Sequence, residues 1–270
     1  MTTWTPFGTQ HGSGYENKGD GMRITWKNAQ SAGTVVIGVG SGHVLAHGWI
    51  DAAELRVGDV IADGNCRVQL ESRIRLCRED GLCLPAWVGQ QTGEAAAGDR
   101  QCSVSRRGFS LAWITLSDKG SRGERVDASG PAIRDTVGEA MELGLARGMI
   151  IPDEPLVLKA ALVDCCLHQG FDLVFTTGGT GVGPRDITPE VTLPLLDKRL
   201  PGFERAMTQA SLAKTPHAVI SRAVAGTMGL SLVVNLPGSP KAVRENLLAI
   251  LPALKHTVEK LQGDQRDCGQ

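Results

Sequence analysis

Residues 176–186 read Thr-Thr-Gly-Gly-Thr-Gly-Val-Gly-Pro-Arg-Asp and directly follow the apolar run Phe171-Asp172-Leu173-Val174-Phe175. Without Cβ atoms, Gly178, Gly179, Gly181 and Gly183 allow positive φ and let backbone N–H groups approach phosphate-like oxygens. Thr188-Pro189-Glu190 then supplies an N-cap, a proline at the first helical position and an acidic first turn. Strand, glycine loop and helix start together make an anion site at the carboxyl end of a sheet strand. The plainer reading is a tight turn that only joins strand to helix. It is neither common nucleotide loop: Gly183 is followed by Pro184-Arg185 where a P-loop needs Lys-Ser/Thr, and Pro184 stands where the dinucleotide fingerprint needs a third glycine.

The elements that must position this loop follow from periodicity. Leu111-Ala112-Trp113-Ile114-Thr115-Leu116 is a compact strand ending at Ser117-Asp118. Gly130-Pro131 opens a helix whose Ile133, Val137, Ala140, Met141 and Gly144 share one face. A short strand at Met149-Ile150-Ile151 precedes a helix carrying Leu158, Leu162 and Cys165 on one side and stopping at Gly170. A strand at 171–176, a helix from Pro189, a strand at 230–235 and a long helix from Pro240 complete the series. Alternating strands and helices imply an α/β fold, a doubly wound, mainly parallel sheet with helices on both faces, whose functional loops gather on one edge.

The first hundred residues have another rhythm, and the chain divides near Arg106-Arg107-Gly108. Residues 1–30 are polar and aperiodic and read as a poorly ordered arm. Residues 31–106 read as a small antiparallel β domain. Cys66, Val68, Leu70, Ile74 and Leu76 alternate with polar residues, 55–61 is a second strand candidate, and Asp63-Gly64 is a hairpin signal. Residues 107–263 hold the α/β domain and 264–270 a polar tail. Gly38 to Gly42 lacks a third fingerprint glycine and reads as a turn.

Composition sets the outer limits. The 270 residues are 41% apolar, enough for a sizeable core, and the net charge of −1 suggests no nucleic acid and no anionic membrane partner. No apolar run reaches a membrane span and the start resembles no signal peptide, so a cytoplasmic protein is expected. Seven irregularly spaced cysteines argue for reduced thiols rather than a disulfide framework. The spacing of His43, His47, Cys77 and Cys83 matches no standard metal site. Cys165-Cys166 falls on an apolar helical face and reads as core.

Ser117-Asp118, Ile151-Pro152-Asp153-Glu154, Thr177-Gly178-Gly179-Thr180-Gly181, Pro184-Arg185-Asp186, Thr188-Pro189-Glu190, Pro201-Gly202-Phe203, Ser221-Arg222 and Asn235-Leu236-Pro237-Gly238-Ser239-Pro240-Lys241 occur in an order that resembles the molybdopterin adenylyltransferases, the MogA and MoaB group and the gephyrin-type G domains. The resemblance runs from about Phe109 to Gln262; for the preceding β domain a MOSC-like module and an inert or oligomer-stabilising barrel are the two readings.

The resemblance implies adenylylation of molybdopterin by ATP with release of pyrophosphate, dependent on Mg²⁺ held by carboxylates. The alternative is a non-catalytic molybdopterin carrier or scaffold. It implies catalytic roles for Asp153, also the metal ligand, and for Asp186, which would hold the pterin. From the residues alone, Asp153 could instead cap the helix near Pro155 and Asp186 could brace an Asx-type turn. Substrate contacts are implied for Ser117, Asp118, Thr177, Gly178, Gly179, Thr180, Gly181, Ser221, Asn235, Pro237, Gly238 and Ser239. Thr177 and Thr180 could equally satisfy loop backbone, Ser117 and Asp118 could serve turn chemistry, and Arg222 reads as a solvated charge. A homotrimer and a downstream molybdenum insertion protein are the implied partners.

Overall fold

The computed structural model describes residues 15–39, 46–50, 55–77 and 81–264. Seven strands, β1 (Tyr15–Trp26), β2 (Gly33–Val39), β3 (Gly48–Ile50), β4 (Asp59–Asp63), β5 (Cys66–Cys77), β6 (Cys83–Thr92) and β7 (Gly98–Arg107), close a barrel in the order β1-β3-β2-β6-β5-β4-β7. All pairs are antiparallel except β2 with β3. Ile24, Trp26, Ile37, Ile50, Ile61, Leu70 and Trp87 fill the interior. The Asp63-Gly64 turn joins β4 to β5, with Gly64 at φ 55°.

Two sequence expectations need correction. The arm expected over 1–30 is barrel strand from Tyr15 to Trp26, paired with β7 along its length, and the first fourteen residues lie outside the described ones. Its ladder is made of backbone groups, which need no side-chain period, and the register shifts near Gly19 and between Asp20 and Met22 erase the alternation. The cysteines are not all reduced: Cys77 and Cys83 face each other across β5 and β6 and form a disulfide. A cross-strand pair depends on register, which spacing alone does not reveal. His47 accepts a hydrogen bond from the Val36 N–H at 2.9 Å, and His43 lies outside the described residues.

The second sheet has six strands: β8 (Phe109–Leu116), β9 (Leu143–Ile151), β10 (Leu173–Thr177), β11 (Lys198–Arg199), β12 (Ala225–Met228) and β13 (Ser231–Leu236), in the order β11-β12-β13-β10-β8-β9. β9, β8, β10 and β13 run parallel; β12 and β11 add an antiparallel edge. Every residue of β10 and β13 is buried, as expected for parallel strands covered on both faces. Leu111, Leu173, Phe175 and Val234 face α2 (Ser129–Ala140), α5 (Pro201–Leu212) and α6 (Pro240–Leu261), whereas Ala112, Ile114, Val174 and Val233 share a core with α3 (Pro155–Val163). A π-helical turn, Asp164–Gln169, ends α3, and Gly170 in the left-handed region stops it. No helix of the described residues is long and apolar enough to cross a membrane.

Candidate functional site

The carboxyl ends of β8, β10 and β13 are stitched together by side chains. Thr115 donates to the Asp127 carboxylate at 2.8 Å, and the other Asp127 oxygen accepts the Ser129 and Gly130 N–H groups, each at 3.0 Å, where α2 begins. Ser129 Oγ donates to the Gly238 carbonyl at 2.8 Å, and Thr177 Oγ1 to the Pro237 carbonyl at 2.7 Å. Ser239 caps α6, its hydroxyl accepting the Ala242 N–H, with Pro240 at the first position. A cavity of about 370 Å³ opens between these parts. Ser117, Thr177, Gly238 and Ser239, four of the expected substrate contacts, are among the residues that line it. So do Thr115, Arg125, Asp127 and Ser129, which the sequence reading passed over. The signal was an Asp two residues ahead of Ser129-Gly130-Pro131, a helix-start arrangement.

The glycine loop leaves β10 beside this cavity. Gly178 (φ 98°) and Gly179 (φ 65°) take positive φ, and a Cβ on Gly179 would lie 2.5 Å from Thr188 Oγ1. Gly181 and Gly183 are not at positive φ; they are glycines for space, since a Cβ on either would come within 2.8 and 3.0 Å of Asp186 Oδ2. Thr188, at the start of α4 (Thr188–Thr192), donates its hydroxyl to the Gly178 carbonyl and its N–H to the Gly179 carbonyl. Arg222 donates from Nε to the Gly181 carbonyl at 2.6 Å, from a terminal nitrogen to the Asp186 carbonyl at 2.9 Å, and from its N–H to the Thr180 carbonyl at 3.0 Å. It also pairs with Glu190. Arg222 is thus a clasp on the loop, not the solvated charge read from sequence. Guanidinium donors turned on nearby loop carbonyls hold those dipoles toward the protein.

Two aspartates face each other at the edge of the cavity wall. The Asp118 N–H donates to Asp153 Oδ2 and the Asp153 N–H to Asp118 Oδ1, both at 3.1 Å. Arg185 grips both oxygens of Asp118 at 2.7 and 2.6 Å and reaches Glu154 at 3.4 Å. Burial raises the Asp153 pKa, reinforced by the charges of Asp118 and Asp186 and opposed by the Asp118 N–H and Arg185. The Asp153 N–H and Arg185 lower that of Asp118. Asp153 does not cap α3: the cap is Glu154, without a side-chain bond, and the Asp153 carboxylate points to the start of α1 (Asp118–Ser121). Among the described residues no three Asp, Glu, His or Cys side chains converge as a metal site.

The remaining expected residues are spread around this centre. Asp186 Oδ2 accepts the Gly183 N–H at 2.7 Å, bracing the loop as an Asx-type turn does. Thr180 is buried within the loop. Ser221 follows the short turn Pro216–Ile220 and precedes Arg222. Pro237 uses its carbonyl on Thr177. Asn235 is fully buried away from the cavity lining: its amide donates to Thr176 and Thr192 hydroxyls at 2.9 and 3.1 Å and accepts the Val224 N–H. Its amide therefore ties β10, α4 and β13 together.

Residues 112–256 match the family model described as a probable molybdopterin binding domain. A molybdopterin adenylyltransferase of Helicobacter pylori strain J99 is 41% identical over 152 residues, which cover 56% of this chain and 86% of that protein. Gephyrin of Dictyostelium discoideum is 40% identical over 154 residues, 54% of this chain but 21% of its own length. The crystal structure of the molybdopterin biosynthesis enzyme MoaB from Thermus thermophilus superposes with a TM-score of 0.53 at 44% identity, covering 58% of this chain and 98% of that one. The chain accordingly belongs to the molybdopterin-binding family of molybdenum cofactor biosynthesis that includes the molybdopterin adenylyltransferases.

Proposed function

We propose that the chain adenylylates molybdopterin with ATP in a Mg²⁺-dependent reaction. The observation that carries this reading is the junction of the cavity with the Asp118–Asp153 pair, which begins one residue beyond the cavity wall at Ser117. In the reaction an oxygen of the molybdopterin terminal phosphate forms a bond to the α-phosphorus of ATP. The bond from that phosphorus to the bridging oxygen breaks, and pyrophosphate leaves. Two anions must be brought together, so positioning and charge neutralisation matter more than a protein nucleophile.

The residues suit a hard divalent cation. Asp153 is half-buried among like charges, with Asp118 and Asp186 both raising its pKa, and a cation would relieve that crowding. Mg²⁺ commonly takes one or two carboxylates and completes its shell with substrate phosphate and water. When bound it would neutralise phosphate charge; Asp153 and Asp118 would hold it. The Asp153 N–H and Arg185 lower the Asp118 pKa, and Arg185 orients the carboxylate. The glycine loop, its carbonyls held by Thr188 and Arg222, shapes the approach of the pterin phosphate, and Asp186 offers a carboxylate to pterin N–H groups. Ser117, Thr177, Ser239 and Asp127 give the cavity hydroxyls and an acceptor suited to a nucleoside.

The same reading carries a homotrimer assembled through the α/β domain, a cytoplasmic setting, and transfer of the product to a molybdenum insertion protein. Light scattering that returned a clean monomer would oppose the trimer. Calorimetric titration of the full chain with molybdopterin and with a non-hydrolysable ATP analogue tests the site itself: each should bind, and Mg²⁺ should tighten the nucleotide. Molybdopterin binding with no nucleotide binding at all would favour a carrier over an enzyme.

A further inference from the structure

β5 and β6 outrun the barrel. β4 pairs with β5 only from Cys66 to Gln69, and β2 pairs with β6 only as far as Ala86, yet β5 and β6 continue to pair out to Cys77 and Cys83. Among the described residues, 75–77 and 83–85 thus form a ribbon that pairs with no third strand, an arrangement only marginally stable in water by itself. The Cys77–Cys83 disulfide closes its end, and both residues are exposed.

Just below the ribbon, the Gln169 side chain bonds the backbone of β5 at Arg73. The Arg73 N–H donates to Gln169 Oε1 at 2.7 Å, and Gln169 Nε2 donates to the Arg73 carbonyl at 3.2 Å. The Arg73 guanidinium lies 5.8 Å over the Trp87 ring of β6. This clamp joins the barrel to the π-helical turn that leads into β10, the strand bearing the glycine loop.

The other described cysteines are closed to chemistry. Cys66, Cys102, Cys165 and Cys166 are free and buried. Burial pushes the Cys102 thiol up to about 11 and the Cys165 thiol to about 12, and raises Cys66 and Cys166 as well. Such thiols stay protonated and unreactive. Among the described residues a thiol reagent therefore meets accessible sulfur at the ribbon end.

We propose that Cys77–Cys83 is a thiol-exchange site whose redox state sets how firmly the ribbon holds Gln169 and the π-helical turn. The reductant is a small or protein thiol. Its thiolate attacks one cysteine sulfur, the S–S bond breaks, and the other cysteine leaves as a thiolate that takes up a proton. A second reagent thiolate attacks the mixed disulfide, releases the first cysteine, and departs as the reagent's own disulfide, having delivered two electrons in all. Reoxidation is the same exchange run backwards with that disulfide.

The test uses the full native chain incubated with graded reduced glutathione, quenched by alkylation and analysed by peptide mass spectrometry and hydrogen exchange. Cys77 and Cys83 should be the first of the six described cysteines to take label, with a glutathione adduct trapped on one of them. Exchange of the Arg73 amide and of residues 164–170 should accelerate about tenfold on reduction, as local opening becomes easier. A Cys77→Ser/Cys83→Ser chain should exchange at the faster rate without any thiol. A pair that resists glutathione until the protein is unfolded, or that labels together with Cys102 and Cys165, would overturn the exchange site. Reduction that leaves the Arg73 amide unchanged would overturn the coupling.

Discussion

At the scale of single residues, the weight rests on Asp153. Its carboxylate does not cap α3; it accepts the Asp118 N–H at the start of α1, and burial beside like charge raises its pKa. Because its folded pKa is raised, the folded chain holds that proton more tightly than the unfolded one. Stability then falls as pH rises from the ordinary carboxylate range through the folded value. Asp118, with a lowered pKa, contributes the opposite slope, lost as pH falls below the ordinary range. Asp153→Asn keeps an acceptor oxygen and removes the charge. It should melt no lower than the parent at pH 7 and lose its part of the pH slope, while turnover falls by at least ~10²-fold; thermal melts across pH 3–8 beside single-turnover rates check both halves. Asp186→Asn also keeps the brace on Gly183, so its effect isolates charge: molybdopterin affinity should weaken by about 1.5–3 kcal/mol in equilibrium titration.

At the scale of elements, the loop after β10 decides whether an anion can approach. Gly179→Val puts a branched side chain at φ 65° with its Cβ 2.5 Å from Thr188 Oγ1. Strain there costs at least ~1 kcal/mol, and molybdopterin affinity should fall more than stability does. An unchanged affinity in a folded variant would reduce the loop to a connector. The loop was legible because glycine and proline report backbone geometry locally: Gly178-Gly179 take the expected positive φ and Pro240 starts its helix as read, whereas α4 begins one residue early, with Ile187 rather than Thr188 at the N-cap and Pro189 second. Arg222 was not legible, since its clasp on Gly181 and Asp186 spans 41 and 36 residues. Asn235 sits within an expected motif, but whether its amide faces ligand or Thr176 and Thr192 depends on sheet register. β1 escaped because Gly19 and Gly21 interrupt its polar first half, and only Met22, Ile24 and Trp26 alternate.

At the scale of the whole molecule, barrel and α/β sheet meet over a buried charge network far from the site. Arg106 of β7 pairs with Asp59 at 2.7 Å and with Asp172, which precedes β10, at 2.8 Å. These side chains are 7%, 0% and 1% exposed, respectively. Ser110 and Gln262 donate further bonds to Asp172. Replacing Arg106 with Met would strand two buried carboxylates and should cost about 3–5 kcal/mol in chemical denaturation, with little change in kcat for the fraction that stays folded. The network grips the amino ends of β8 and β10, whereas the cavity and the Asp118–Asp153 pair lie at the carboxyl ends. Among the described residues, this network ties the barrel to the end of the sheet opposite the cavity. Adenylylation is measured most directly in a single turnover of the full chain with molybdopterin, Mg²⁺ and ATP labelled at the α-phosphorus, run beside Asp153→Asn. Label should move to molybdopterin with one pyrophosphate released per transfer, and the variant should bind molybdopterin while transferring at least ~10²-fold more slowly. Molybdopterin bound by the parent with no label transferred, or equal transfer by the variant, would contradict the account.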